Sequence, residues 1–178
     1  MLQKCSIWKT AGIFFKEPTK QHYLLEISRK TKKAHTSVKS HLKTLKELRI
    51  IKEEIEKKGS RKFPLYKANI ESEEYRSYKR LYNLAELTES KLINYLKNKL
   101  MPKTIVLFGS YQKGGDTEDS DIDIFLECKK EEIDISKFNF RLGRKIQLHF
   151  KDSFKKYPKE LKNNIANGIV LHGYLEVF

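Results

Sequence analysis

The stretch Thr104-Ile-Val-Leu-Phe-Gly109-Ser110, followed after ten residues by Asp121-Ile-Asp123-Ile-Phe-Leu126, constrains this chain more than any other part of it. Thr104 to Phe108 is a continuous apolar run of strand length, the pattern of a strand buried on both faces. Gly109-Ser110 ends that strand, and a short helix can follow. A glycine lets a phosphate approach the backbone closely, and a hydroxyl beside free N–H groups at a helix start binds phosphate oxygens. A polar loop containing Gly114 and Gly115 leads into a second strand, Ile122 to Leu126. Side chains alternate along a strand, so Asp121 and Asp123 are expected on one face, about 7 Å apart. Two such carboxylates repel each other unless a cation lies between them. Hard oxygen ligands suit Mg²⁺ or Mn²⁺, which can hold nucleotide phosphates against the Gly109-Ser110 turn.

The segment resembles the signature of the polymerase β-like nucleotidyltransferases, namely Gly-Ser, ten residues (here Tyr111 to Ser120), then Asp-x-Asp. Within that superfamily it is most similar to the minimal nucleotidyltransferases of prokaryotes, small proteins often paired with a helical toxin partner. The resemblance extends over about residues 85–178 and includes the closing stretch Leu161 to Tyr174. It implies a small α/β domain with a short mixed sheet that transfers a nucleoside monophosphate from ATP or another nucleoside triphosphate to an acceptor. Asp121 and Asp123 would be the catalytic metal ligands. Gly109 and Ser110 would hold the phosphates, with Lys113 adding charge neutralisation. The family also uses a third carboxylate on a later strand, Lys145 to Phe150 here, where the matching position is Gln147. An amide is a poor Mg²⁺ ligand and cannot act as a base. His149 on the same strand face is a substitute base or simply a half-buried strand histidine, and Glu127 can be drawn toward the edge of the site. The substitution leaves two readings, an active transferase with an altered acceptor site and a catalytically impaired nucleotide-binding regulator or antitoxin.

Charge separates the two halves of the chain. Residues 1–100 carry 24 Lys and Arg against 11 Glu and no Asp, a net +13, while residues 101–178 carry 13 basic against 12 acidic residues. A thermophile-type surface rich in Lys and Glu explains many charges but not this uneven placement. The first half therefore reads as a polyanion-binding module.

Its pattern fits. Ser6 to Phe15 reads as an apolar helix closed by Pro18, and Thr19 to Thr31 as a second helix with Tyr23, Leu24 and Ile27 on one face. From Thr36 a third helix begins, with Val38, Leu42, Leu45 and Leu48 at helical spacing. A strand from Ile50 to Ile55, the basic turn Lys57 to Lys62 and a returning strand Phe63 to Lys67 complete a hairpin. The string Thr36 to Ile51 with its basic hairpin resembles the winged helix domains of archaeal and bacterial regulators, over about residues 6–70. The resemblance implies binding to double-stranded DNA. The third helix would enter the major groove through Ser37, Lys39, Ser40 and Lys43, and the wing would touch phosphates through Lys57, Lys58, Arg61 and Lys62. A protein–protein role for the module is the alternative. Glu73 to Lys99 reads as long helix interrupted near Thr88. The helical spacing of Tyr75, Tyr78 and Tyr82 favours core packing over RNA stacking.

The expected architecture is α+β, with a winged helix-turn-helix at 1–70, a helical connection at 71–84 and the nucleotidyltransferase domain at 85–178. Cys5 and Cys128 are too far apart in sequence for a zinc motif and read as reduced packing residues, and the five histidines form no zinc-type cluster. No apolar run is long enough to cross a bilayer, and the N-terminus lacks the apolar stretch of a signal peptide. A cytoplasmic protein without membrane contact is expected, and a homodimer fits the habit of winged helix proteins.

Overall fold

The computed structural model describes residues 5–154 and 158–176. The signal-peptide reading falls largely on residues 1–4, outside the described residues. The chain divides into two compact units, Met1–Tyr82 and Asn83–Phe178, and is mixed α and β throughout.

The first unit runs α1 (Ser6–Lys16), β1 (Gln21–Tyr23), α2 (Leu24–Thr31), α3 (His35–Glu47), β2 (Ile51–Lys58), β3 (Arg61–Ala68) and the first half of α4 (Glu73–Ser90). In α3, Val38, Leu42 and Leu45 point into the core at helical spacing, while Ser37, Lys39, Ser40 and Lys43 are exposed. Burying each of those aliphatic side chains is worth about 1.5–3 kcal/mol, which fixes the helix's orientation better than its modest intrinsic propensity does. The helix ends at Glu47, so Leu48 caps it at 39% exposure instead of extending the apolar stripe. Tyr75 and Tyr82 of α4 are buried against Phe15, and the Tyr75 hydroxyl donates to the Phe14 carbonyl at 3.0 Å. These tyrosines are core residues.

Residues 21–23 depart from the helix expected over Thr19 to Thr31. They form β1, paired antiparallel to β3 with Gln21 opposite Lys67 and Tyr23 opposite Leu65. The returning hairpin strand offers an open edge, and its ladder bonds override a local helical pattern that begins in earnest only at Leu24. The hairpin itself is tighter than the six-residue basic turn suggested. Lys58 pairs with Arg61, leaving Gly59 and Ser60 as the turn, and Gly59 has φ +62°. A two-residue hairpin loop needs this left-handed conformation, which glycine adopts without strain.

The second unit contains the rest of α4, then α5 (Leu92–Leu100), β4 (Thr104–Phe108), α6 (Gly109–Lys113), β5 (Ile122–Glu127), α7 (Ser136–Leu142), β6 (Ile146–Lys151), α8 (Lys159–Ala166) and β7 (Ile169–Gly173). The helix break comes at Lys91, which has φ +68°, and the Ser90 hydroxyl accepts from the Leu92 N–H at 3.1 Å. The sheet order is β6-β5-β4-β7. It is mixed, because β5 and β6 are parallel while β4 is antiparallel to both its neighbours.

Alternation sorts the two faces of this sheet. Ile105, Leu107, Ile122, Ile124, Leu126 and Ile146 pack with Leu92, Leu96, Leu100 and Phe138 of α5 and α7. Val106, Phe108 and Phe125 pack with Ile165 of α8 on the opposite face. That second cluster is smaller. The same face continues beyond it along β5 and β6 with Asp121, Asp123, Gln147 and His149.

Candidate active site

Register builds this site. Asp123 pairs with Phe108, the last residue of β4, so its carboxylate stands beside the corner where β4 turns into α6. Gly109 makes that corner with φ +80°. A Cβ placed on Gly109 would meet Asp123 Oδ2 at 2.5 Å, so the corner is open only because residue 109 has no side chain. Ser110 follows, half-buried. Lys113 lies one turn further along α6 and is exposed.

Asp121 precedes β5, is half-exposed, and no hydrogen bond or ion pair among the described residues holds its carboxylate. Its neighbour Ile122 is fully buried, with its N–H donating to the Lys145 carbonyl at 2.8 Å. Alternation then puts Asp121 on the Asp123 face.

On the parallel neighbour, Gln147 stands beside Asp123 and is exposed. His149 makes the side-chain hydrogen bond, with its Nε2 3.0 Å from Asp123 Oδ1 and both side chains 23% exposed. The His149 ring packs edge-on against Phe108 at 5.0 Å between centroids. Glu127 does not reach the site. It is buried at the far end of β5, accepting from the Thr104 hydroxyl and the Phe154 N–H, each at 3.2 Å.

A network that sequence reasoning missed holds the loop between α6 and β5. Asp116 is buried, its Oδ2 3.0 Å from Nη2 of Arg144, whose side chain is 7% exposed. The Asn83 amide donates to Asp116 Oδ1 and to the Tyr111 carbonyl, both at 2.8 Å. Burial, with the negative charges of Asp116 and Glu86 nearby, pushes the Tyr111 hydroxyl far above its ordinary pKa, so it stays protonated. The network ties the loop carrying Gly109 to Asp121 both to α4 and to the turn before β6. The three charged or amide groups lie at positions 83, 116 and 144, and no local pattern relates them.

The donor set fits a divalent cation. Asp121 and Asp123 offer carboxylates on one face beside an open glycine corner, and His149 adds an imidazole nitrogen. Among the described residues, the one trio of acidic, Cys or His ligand atoms lying within 4.8 Å of one another is elsewhere, at Glu17, His22 and Glu26 in the first unit. There Lys30 already contacts both glutamates, and Lys20 contacts Glu17 at 3.1 Å. Burial pushes the Glu17 and Glu26 carboxyls up, but Lys30 with Lys20 and His22 outweighs it and holds both below the usual range. That cluster is a neutralised charge network. Cys5 is exposed, not packed as expected, and Cys128 is half-buried; both are free thiols.

The buried strand β4 thus ends in a glycine-serine corner with the Asp123 carboxylate of the adjacent strand beside it and Asp121 just before that strand. Residues 90–174 match the family described as polymerase beta, nucleotidyltransferase. No curated protein and no solved structure matches the chain. Among the described residues, no helix is long and apolar enough to cross a membrane.

Proposed function

We propose that the second unit transfers a nucleoside monophosphate from a nucleoside triphosphate, ATP or another, to an acceptor hydroxyl. The observation that carries this reading is the Asp123 carboxylate standing over the side-chain-free corner at Gly109. Asp121 and Asp123 would hold Mg²⁺ or Mn²⁺, which when bound neutralises phosphate charge and orients the triphosphate. Gly109 leaves room for phosphate oxygens against the backbone. Ser110 offers a hydroxyl there, and exposed Lys113 a cation. The acceptor oxygen forms a bond to the α-phosphorus, the bridging P–O bond breaks, pyrophosphate leaves, and the acceptor proton passes to water.

The test is incubation of the full chain with each α-labelled nucleoside triphosphate, a divalent ion and cell extract. Label on a protein or RNA, with pyrophosphate released in equal amount, is the expected outcome. Nucleotide binding without pyrophosphate release would instead support a second reading, a catalytically impaired regulator or antitoxin acting on a helical partner. That reading draws on Gln147, an exposed amide beside Asp123 where the family carries a carboxylate.

The first unit supports duplex DNA binding by a winged helix. Lys39 and Lys43 on the outer face of α3, with Lys57, Arg61 and Lys62 at the hairpin tip, make no ion pair among the described residues. Near the hairpin base, by contrast, Lys46, Lys52 and Lys67 are neutralised by Glu53, Glu71 and Glu54. Lys58, also at the tip, is partnered by Glu56 and the Tyr23 hydroxyl. Free cations at the tip and along α3 form the footprint a phosphate backbone needs. Replacing Lys57, Arg61 and Lys62 with alanine is expected to flatten the plot of log affinity against log salt by about 0.9 for each phosphate that the wing no longer neutralises. Fluorescence anisotropy on a mixed-sequence duplex measures it, and an unchanged slope would remove the wing from the interface.

A further inference from the structure

We propose that His149 is the third ligand of the ion held by Asp121 and Asp123, and that this mixed nitrogen–oxygen set makes the site prefer Mn²⁺ and Co²⁺ to Mg²⁺. The inference rests on the reading that these aspartates bind a divalent ion, and it adds the ion's identity.

Three observations carry it. First, His149 Nε2 lies 3.0 Å from Asp123 Oδ1. Two cis ligand atoms on an octahedral ion with bonds of about 2.1 Å are about 3 Å apart, so the pair already has the separation of one octahedral edge. Second, the imidazole is aimed and not adrift. Ile146, Leu148 and Phe150 of the same strand pack on the opposite side of the sheet, which fixes the face His149 takes, and the ring rests against buried Phe108. A one-residue slip of β6 would bury His149 in the core and expose three apolar side chains. Third, the competing position is weak. Gln147 stands in register with Asp123 but is exposed, and its only acceptor is an amide oxygen. Asp121 completes the set by rotating its side chain, which no hydrogen bond or ion pair among the described residues opposes.

The chemistry follows from the donors. Mg²⁺ favours all-oxygen shells and dehydrates reluctantly, whereas imidazole nitrogen binds transition ions better, in the order Mn²⁺ then Co²⁺. At 23% exposure the pair is open to an ion arriving from solvent yet partly shielded from bulk water.

Isothermal titration of the full chain with MnCl2, CoCl2 and MgCl2, without nucleotide, tests the proposal independently of turnover. Mn²⁺ is expected to bind at least about tenfold more tightly than Mg²⁺, and Co²⁺ more tightly still. His149→Ala should weaken Mn²⁺ and Co²⁺ about 10- to 100-fold, the range typical for loss of a group that tunes a metal, while Mg²⁺ changes much less. His149→Asp, which restores an all-oxygen set, should tighten Mg²⁺ and remove the Mn²⁺ preference. It guards against a His149→Ala effect that is merely structural. The Co²⁺ absorption spectrum should change between wild type and His149→Ala as a nitrogen ligand is removed. Equal Mn²⁺ and Mg²⁺ affinity in wild type, or a Mn²⁺ affinity untouched in His149→Ala, would overturn the third ligand. The two-aspartate reading would survive that result if Asp123→Ala still abolished binding of all three ions. Absence of binding by any ion to the wild-type chain would overturn both.

Discussion

Asp123→Ala is expected to lower nucleotide transfer by about 10²- to 10³-fold, the loss usual when one group that stabilises developing phosphate charge is removed. Gly109→Ala is expected to come close behind, although it leaves every charged group in place. Its new Cβ would fall 2.5 Å from Asp123 Oδ2, a separation that real Cβ atoms do not tolerate. Either the carboxylate moves away or the corner does. A displacement of about 1 Å at a reacting site can cost about 10²-fold in rate. The substitution also forces a residue with a Cβ to hold φ +80°, which costs about 1–2 kcal/mol. The stability cost and the catalytic cost separate in the measurement. Circular dichroism melts should show both variants folded, with Gly109→Ala modestly destabilised and Asp123→Ala close to wild type. Initial rates of label transfer should fall steeply in both. Full activity in Gly109→Ala would mean that the phosphates do not sit at this corner.

Asp116→Ala should destabilise the chain by about 3–5 kcal/mol, the cost of leaving a buried charge without its partner. Arg144 would be the stranded group, with its side chain 7% exposed, and the Asn83 amide would lose one of its two acceptors. For a unit of roughly 100 residues this corresponds to a melting temperature lower by about 12 °C or more. The pair is not expected to be worth that much in its own right, since desolvation offsets most of the attraction between buried charges. The double variant Asp116→Leu/Arg144→Met should therefore recover much of the lost stability. Thermal melts of wild type, both single variants and the double variant form the cycle that measures it. A near-zero effect of Asp116→Ala would show that the loop before Asp121 is held by other groups.

Much of the second unit's central sheet was legible in one segment. The apolar run Thr104 to Phe108 had to be buried on both faces, and the alternation around Ile122 and Ile124 had to turn Asp123 outward from that core. Local rules of this kind act over a few residues, and they survive folding because burial enforces them. Pairings made across the chain were not legible. Residues 21–23 read as helix on local pattern and became a strand, because the edge they pair with lies more than forty residues away at Tyr66 and Lys67. Glu127 was drawn toward the candidate site by its place on the same strand as Asp123, yet Thr104 and the Phe154 N–H hold it at the opposite end.

By itself the sequence determined that a buried strand ends in Gly109-Ser110 and that two aspartates follow at the start of a second strand, because glycine's backbone freedom and the two-residue strand period are properties of the chain alone. Only the tertiary structure decided which groups meet those aspartates. Parallel pairing of β6 with β5 gave His149 the side-chain hydrogen bond to Asp123, and burial joined Asn83, Asp116 and Arg144. Partners 26 to 33 positions apart meet only once the sheet has chosen its order and register, and no local preference encodes that choice.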